Sequence, residues 1–266
     1  MLNRKPIASG KLYPSSFDRL ENQIKVCFLD KQGPGDFPVS RTNKKKIGVI
    51  APSSSYSESG AISAWSFKEL GEIKLPKAYI ILGNNDTNLG GEISVFTFTN
   101  WETPFGVVNI NKENGSKLAR SFNKIINEAE PFLENKTIEV QLPFLQYVSR
   151  DYFRELSFVP IIIKSINYDE LMKLASAVAT IKNDDYFNLM VSSNIIGDEE
   201  ALGFIKNLNS NEYYNYLVKN NLMKKEASPL IVGIECAKLL GARRARLLNY
   251  CNGNKENIIY GAFAFE

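Results

Sequence analysis

Three short stretches of this sequence end an apolar run in a cluster of small polar side chains. Ile47–Ala51 leads into Pro52-Ser53-Ser54-Ser55, Ala78–Leu82 into Gly83-Asn84-Asn85-Asp86, and Phe187–Val191 into Ser192-Ser193-Asn194. Short apolar runs of this kind read as buried strands, and in an open α/β sheet ligands sit at the carboxyl ends of strands. Such loops offer hydroxyls, amides and a few carboxylates: groups that hydrogen-bond a polar ligand or hold a hard cation. The same residue types cap helices and close turns, so each loop alone reads first as cap chemistry. Only the three together suggest a polar cleft.

The chain contains no histidine. That removes Ser-His-Asp and Cys-His nucleophile systems, the HExxH zinc helix and every His-based iron or copper site. No GxSxG elbow is present to activate a serine. Cys27, Cys236 and Cys251 are widely spaced with no CxxC, which fits buried free thiols in a reducing cytosol. A net charge of +3 from 32 basic and 29 acidic residues gives no reason to expect nucleic acid or a membrane surface as partner. The basic run at Asn43–Lys46 reads as a solvated strand flank. No apolar run reaches the ~18 residues of a membrane span, and the first residues lack a signal peptide's apolar stretch. The expected location is cytoplasmic.

Strands and helices alternate around the three loops. A helix is expected near Gly60–Leu70, with Trp65 and Phe67 in its core face rather than as stacking platforms. "EISVFTF" and "PFGVVNI", between Glu92 and Ile110, read as a strand pair joined through "TNWET". Leu118, Phe122, Ile125 and Ile126 have the spacing of one helix face, and Thr137–Val148 reads as helical around Pro143. Phe158–Ile163 is a further strand, and Leu171, Leu174, Ala175 and Val178 mark another helix. Ser228-Pro229 offers an N-cap and first-turn proline for a helix running to Leu240. "ARLLNYC" and "IIYGAFAF" close the chain as strands. The expected architecture is a three-layer α/β sandwich with a mostly parallel, mixed central sheet, in one domain over residues 1–266.

Longer blocks carry a resemblance. "PIASGKLYPSSFDRLENQI" (Pro6–Ile24), with Ala8, Gly10, Tyr13 and Pro14, resembles the opening of the MEMO family. "VIAPSSSY" is similar to the family's Ala-Pro-His-Ala-Gly-Tyr segment, "IILGNNDT" to Ile-Leu-Gly-Pro-Ser-His-His, and "TIEVQLPFLQ" to Ser-Ile-Glu-x-His-Leu-Pro-Tyr. "VSSN" resembles Ser-Ser-Asp, and "YGAFAF" the closing strand. The blocks keep family order from Pro6 to Phe265. The family fold resembles that of class III extradiol dioxygenases, and the resemblance implies a metal pocket of His, Asp and Cys residues in these loops.

Carried over position by position, each implied ligand is a different residue here. Ser53 stands for the His after Ala-Pro, where it could bond a ligand, act as a nucleophile or cap a turn. Asp86 falls on the first His after Leu-Gly, as a cation ligand or an Asx-turn residue. Asn194 replaces the Asp after Ser-Ser, keeping its size and losing its charge, and Gly197 falls on the His three residues on. Gln141 takes the place of the His in the Ile-Glu segment. Glu226 aligns within a residue or two with the family cysteine, as a second carboxylate or a solvent-facing residue. Glu139 matches the family's glutamate and needs a hydrogen-bonding partner, with Lys136, Tyr56 and Ser53 as candidates. Ser54, Tyr56, Asn85 and Ser193 complete the expected pocket lining.

The favoured reading is a MEMO-family protein without catalytic activity, metal or cofactor, which binds a small ligand or a protein partner in a sheet-end pocket. The alternative is a metal-dependent hydrolase with an oxygen-lined Mg²⁺ or Mn²⁺ site built from Asp86 and Glu226. The resemblance also implies possible protein partners: an active MEMO paralogue, an AMMECR-type domain or a radical-SAM protein.

Overall fold

The computed structural model describes residues 2–181, 186–224 and 226–266. α1 (Phe17–Leu29) leads to β1 (Gly48–Ala51), α2 (Tyr56–Gly71) and β2 (Ala78–Asn84). Three short strands follow, β3 (Ile93–Val95), β4 (Trp101–Thr103) and β5 (Gly106–Ile110), then α3 (Lys112–Ser121), β6 (Ile125–Asn127) and α4 (Glu130–Glu134). A 3-10 turn over Glu139–Gln141 opens directly into α5 (Leu142–Val148), and a second over Arg150–Tyr152 precedes β7 (Ser157–Ile163). The chain continues through α6 (Tyr168–Thr180), β8 (Phe187–Ser192), β9 (Ile195–Ile196), α7 (Glu199–Lys206) and α8 (Ser210–Lys219). It ends with α9 (Ala227–Leu239), β10 (Ala245–Asn252) and β11 (Ile258–Phe265). No helix among the described residues is long and apolar enough to cross a membrane.

The strands form one mixed sheet in the order β10-β11-β1-β8-β2-β7-β3-β6. Its centre, β1-β8-β2-β7, is parallel, and β11 closes one side antiparallel to β1. All seven residues of β2 are buried, as expected of a strand covered on both faces. Alternate residues feed two cores. Val49, Tyr79, Ile81 and Met190 face α1, α2, α4 and α5, whereas Ile50, Ile80, Leu82 and Leu189 face α3, α6, α7, α8 and α9. This is the three-layer sandwich expected from the strand and helix alternation.

Three local expectations are corrected. The segment "TNWET" is not a connection: Trp101–Thr103 is itself a strand, paired antiparallel with Gly106–Ile110, while β3 pairs instead with β7 and β6. Trp101 is fully buried against Phe132 and Phe158, and that packing turns the segment into a strand. Phe122, Ile125 and Ile126 do not continue the Leu118 helix face, because α3 stops at Ser121 and Ile125 begins β6 beside β3. Ser228 is not the N-cap of α9. Glu226 holds that position, and the Ser228 hydroxyl is buried with no hydrogen-bond partner among the described residues. Pro229 sits in the first turn, where its missing N–H costs nothing.

Gly83 shows why one position of β2 must lack a side chain. A Cβ there would lie 2.5 Å from Thr137 Oγ1 and 2.9 Å from Ile138 Cγ1. Gly83→Ala should cost about 1–3 kcal/mol in urea unfolding, the range of overpacked cores; an unchanged midpoint would remove the tight approach from the account. Burial pushes the thiols of Cys27 and Cys236 up to about 12, while Cys251 is only half-buried. In the native protein at about pH 8 a thiol reagent should therefore titrate Cys251 first, with the other two reacting at speed only in denaturant.

Candidate functional site

Because β1, β8 and β2 are neighbours and parallel, the loops after them lie side by side at one end of the sheet. Ala51, Ser192 and Gly83 stand in a single row across the three strands. The segment from Asn135 to Gln141 crosses above that row. The Ser192 hydroxyl donates to the Thr137 carbonyl and accepts a hydrogen bond from Gln141 Nε2 at 2.6 Å. Gln141 Nε2 also donates to the Pro52 carbonyl at 2.8 Å, so its buried amide bridges the β1 and β8 loops. Asn194 adds a second bridge: its Oδ1 accepts from the Ser53 N–H at 3.0 Å and its Nδ2 donates to Ser54 Oγ at 2.9 Å. Ser193, fully buried, donates its hydroxyl to the Glu226 carbonyl at 2.7 Å, which brings the start of α9 to the end of β8.

The β2 loop joins through Asn135. Its side chain donates to the Asn84 carbonyl at 2.8 Å and to Asp86 Oδ1 at 2.6 Å, and its Oδ1 accepts from the Thr137 N–H. Asp86 is exposed, and this contact orients its carboxylate. Asn85 turns the other way: its amide closes the Thr87–Leu89 turn of its own loop. Tyr56 is buried with its ring 4.7 Å from that of Phe144, and its hydroxyl donates to the Val140 carbonyl. Gly197 has φ +127, and a Cβ there would lie 2.8 Å from Ala201 and Tyr216. Any side chain at that position strains the backbone and meets packed atoms.

Glu139 lies beneath this web with no exposed surface. None of Lys136, Tyr56 and Ser53 is its partner. Oε2 accepts from Arg4 Nη1 at 2.6 Å and the Ile7 N–H at 3.0 Å, and Oε1 from the Ala8 N–H at 2.8 Å and the Tyr13 hydroxyl at 2.7 Å. Burial, then the adjacent carboxylate, push the Tyr13 hydroxyl far above its ordinary range and keep it a donor. Arg4 stacks 4.0 Å over Trp101, and its other donors reach the carbonyls of Phe132 and Asn135. Residues 4–13 are thus strapped behind the sheet-end loops.

The expected residues therefore fall into distinct places. Asn194 bonds Ser53 and Ser54, Gln141 bonds Pro52 and Ser192, Ser193 reaches the Glu226 backbone, and Asp86 joins through Asn135. Asn135, Thr137 and Arg4 are participants that the sequence reading missed, and Ser192, though named in the loop after β8, was not among the expected pocket lining. Only the apolar neighbours of Ser192 and Thr137 hinted at burial. Among the described residues no three acidic or thiol side chains gather as a metal site would require.

An α/β sandwich with a parallel centre and a polar web at its strand ends is a scaffold shared by many activities. Comparison with known proteins narrows it. A family model described as Memo-like protein matches residues 4–197. A MEMO1 family protein of Thermotoga neapolitana is 35% identical over 193 residues, 71% of this chain and 68% of the relative. A second, from Methanopyrus kandleri, is 28% identical over 99% of both chains. The chain belongs to the MEMO family. In fold it is similar to the crystal structure of the uncharacterized protein JW3007 from Escherichia coli K12. The TM-score is 0.52 at 10% identity, over 84% of this chain and 100% of that one.

The buried cluster predicts a large effect. Glu139→Gln leaves Arg4 facing a neutral amide and sets N–H groups against N–H groups, so urea unfolding should lose about 3–5 kcal/mol, the cost of breaking a buried pair. A loss within 1 kcal/mol, roughly the worth of an exposed pair, would mean that the strap is dispensable.

Proposed function

We propose that this chain is a non-catalytic member of the MEMO family that binds a small ligand or a protein partner at the carboxyl ends of β1, β8 and β2. One observation carries the reading. Two of the side chains at positions where the resemblance implies metal ligands are engaged with neighbouring hydroxyls and backbone: Gln141 with Ser192 and Pro52, and Asn194 with Ser54 and the Ser53 N–H. The donor set does not fit iron, copper or zinc, which favour imidazole and thiolate, and Gly197 supplies no side chain at all. Oxygen donors alone would suit only a hard cation, and an amide in place of a carboxylate weakens the attraction for one.

The alternative site for Mg²⁺ or Mn²⁺ would draw on Asp86, whose carboxylate Asn135 holds at 2.6 Å, together with Glu226. Elemental analysis and calorimetric titration of tag-free protein with Mg²⁺, Mn²⁺, Fe²⁺ and Zn²⁺ separate the two. The expected result is no stoichiometric metal and no binding heat. Stoichiometric Mg²⁺ or Mn²⁺ that disappears in Asp86→Asn would replace this reading with the hydrolytic one.

A further inference from the structure

A cavity lies at the opposite end of α5 from Gln141. The start of α1, the turn between β4 and β5, the end of α5 and the segment after it enclose a cavity of about 370 Å³. Four aromatic rings wall it: Phe17, Phe105, Tyr147 and Phe153. Phe17 and Phe105 meet edge to face, their centroids 5.0 Å apart and their planes at 70°. Phe17 nevertheless leaves 52% of its surface in water. Gly106, at φ +114, lets the turn pass within van der Waals reach of Phe153; an added Cβ would sit 3.5 Å from its ring.

Three polar side chains line this aromatic space: Gln146, Arg150 and Glu21. Gln146 is almost wholly buried. Its Oε1 accepts the Thr103 hydroxyl, and Nε2 makes a single long bond of 3.3 Å to the Gly106 carbonyl. The second N–H of that amide has no acceptor among the described residues. Arg150 lies flat over Tyr147, 4.1 Å from the ring centre, and gives one hydrogen bond from Nη2 to Glu21. Its remaining N–H groups have no acceptor among the described residues. Glu21 is also shared with Lys25 at 3.1 Å, so the two cations and one carboxylate of this cluster leave one net positive charge.

We propose that this cavity binds a small aromatic carboxylate, with its ring among the four aromatic side chains and its carboxylate on the open face of Arg150. Planar rings fit walls that already meet edge to face, since the positive edge of one ring seeks the negative face of another. A guanidinium with open donors presents the fork geometry that carboxylates match, and stacking on Tyr147 holds the fork in place. Aromatic walls alone would also suit a quaternary ammonium ion, but the net positive charge beside them opposes it.

The probe is 2-naphthoate, titrated by calorimetry and followed by amide NMR shifts on the full chain. Uncharged 2-naphthamide and the matching naphthyl-trimethylammonium ion serve as comparisons. Saturable 1:1 binding of naphthoate is expected, with both comparison compounds weaker. Arg150 is half exposed, so Arg150→Gln should fold normally, which its unfolding midpoint checks. Affinity should drop by about tenfold or more in that variant, the scale of one charge-assisted hydrogen bond. Phe153→Ala should also weaken binding, by opening one wall. Absence of saturable naphthoate binding overturns the proposal. So does binding that survives Arg150→Gln, or an ammonium probe that binds as tightly as the acid.

Discussion

A carboxylate sealed from water governs this structure. Glu139 accepts four hydrogen bonds, and every donor comes from residues 4–13. A lone carboxylate in that place would be destabilising by several kcal/mol, so its position and that of the N-terminal strap are mutually determined. Through Arg4 the constraint spreads to Trp101 and to the carbonyls of Phe132 and Asn135. Gln141 follows Glu139 by two residues in the same 3-10 turn, and Asn135 hands the constraint on to Asp86. The sheet-end loops thus inherit their geometry from a buried ion pair that never touches them.

Above that anchor, the register of the sheet supplies order and the small polar residues supply closure. Ala51, Ser192 and Gly83 align because their strands are parallel neighbours, and the Thr137–Gln141 segment can settle on them only because Gly83 has no side chain. The hydrogen bonds that result are local and reciprocal. At Gly197 a φ of +127 and contacts at 2.8 Å resist any side chain.

The central strands were legible because a strand buried on both faces is written as an unbroken apolar run. The helices around Leu171 and Phe67 were legible from their period. What escaped were features decided at a distance. Trp101 reads as part of a connection until Arg4 and Phe132 are known to pack on it. Ile125 and Ile126 keep the helical spacing of Leu118, but a parallel partner, β3, claims them for the sheet. Ser53 and Asn194 were legible as polar residues at strand ends and Gln141 through likeness to a family, and the structure adds that Asn194 bonds the Ser53 N–H while Gln141 bonds Ser192. The partners named for Glu139 were near it in the chain or in the motifs. Its real partner stands 135 positions away, where no periodicity could point.

That separation also orders events in time. Arg4 is synthesised 135 positions before Glu139. Until then the strap has nothing to hold, and its arginine remains hydrated. Synthesis proceeds at ~5–20 residues per second, so this interval lasts roughly 7–27 s. A segment made before its partner is consequently among the later ones to be fixed. A nascent chain that stalls between Arg4 and Glu139 presents an undocked strap and an unlocked face where the finished protein has a sealed one.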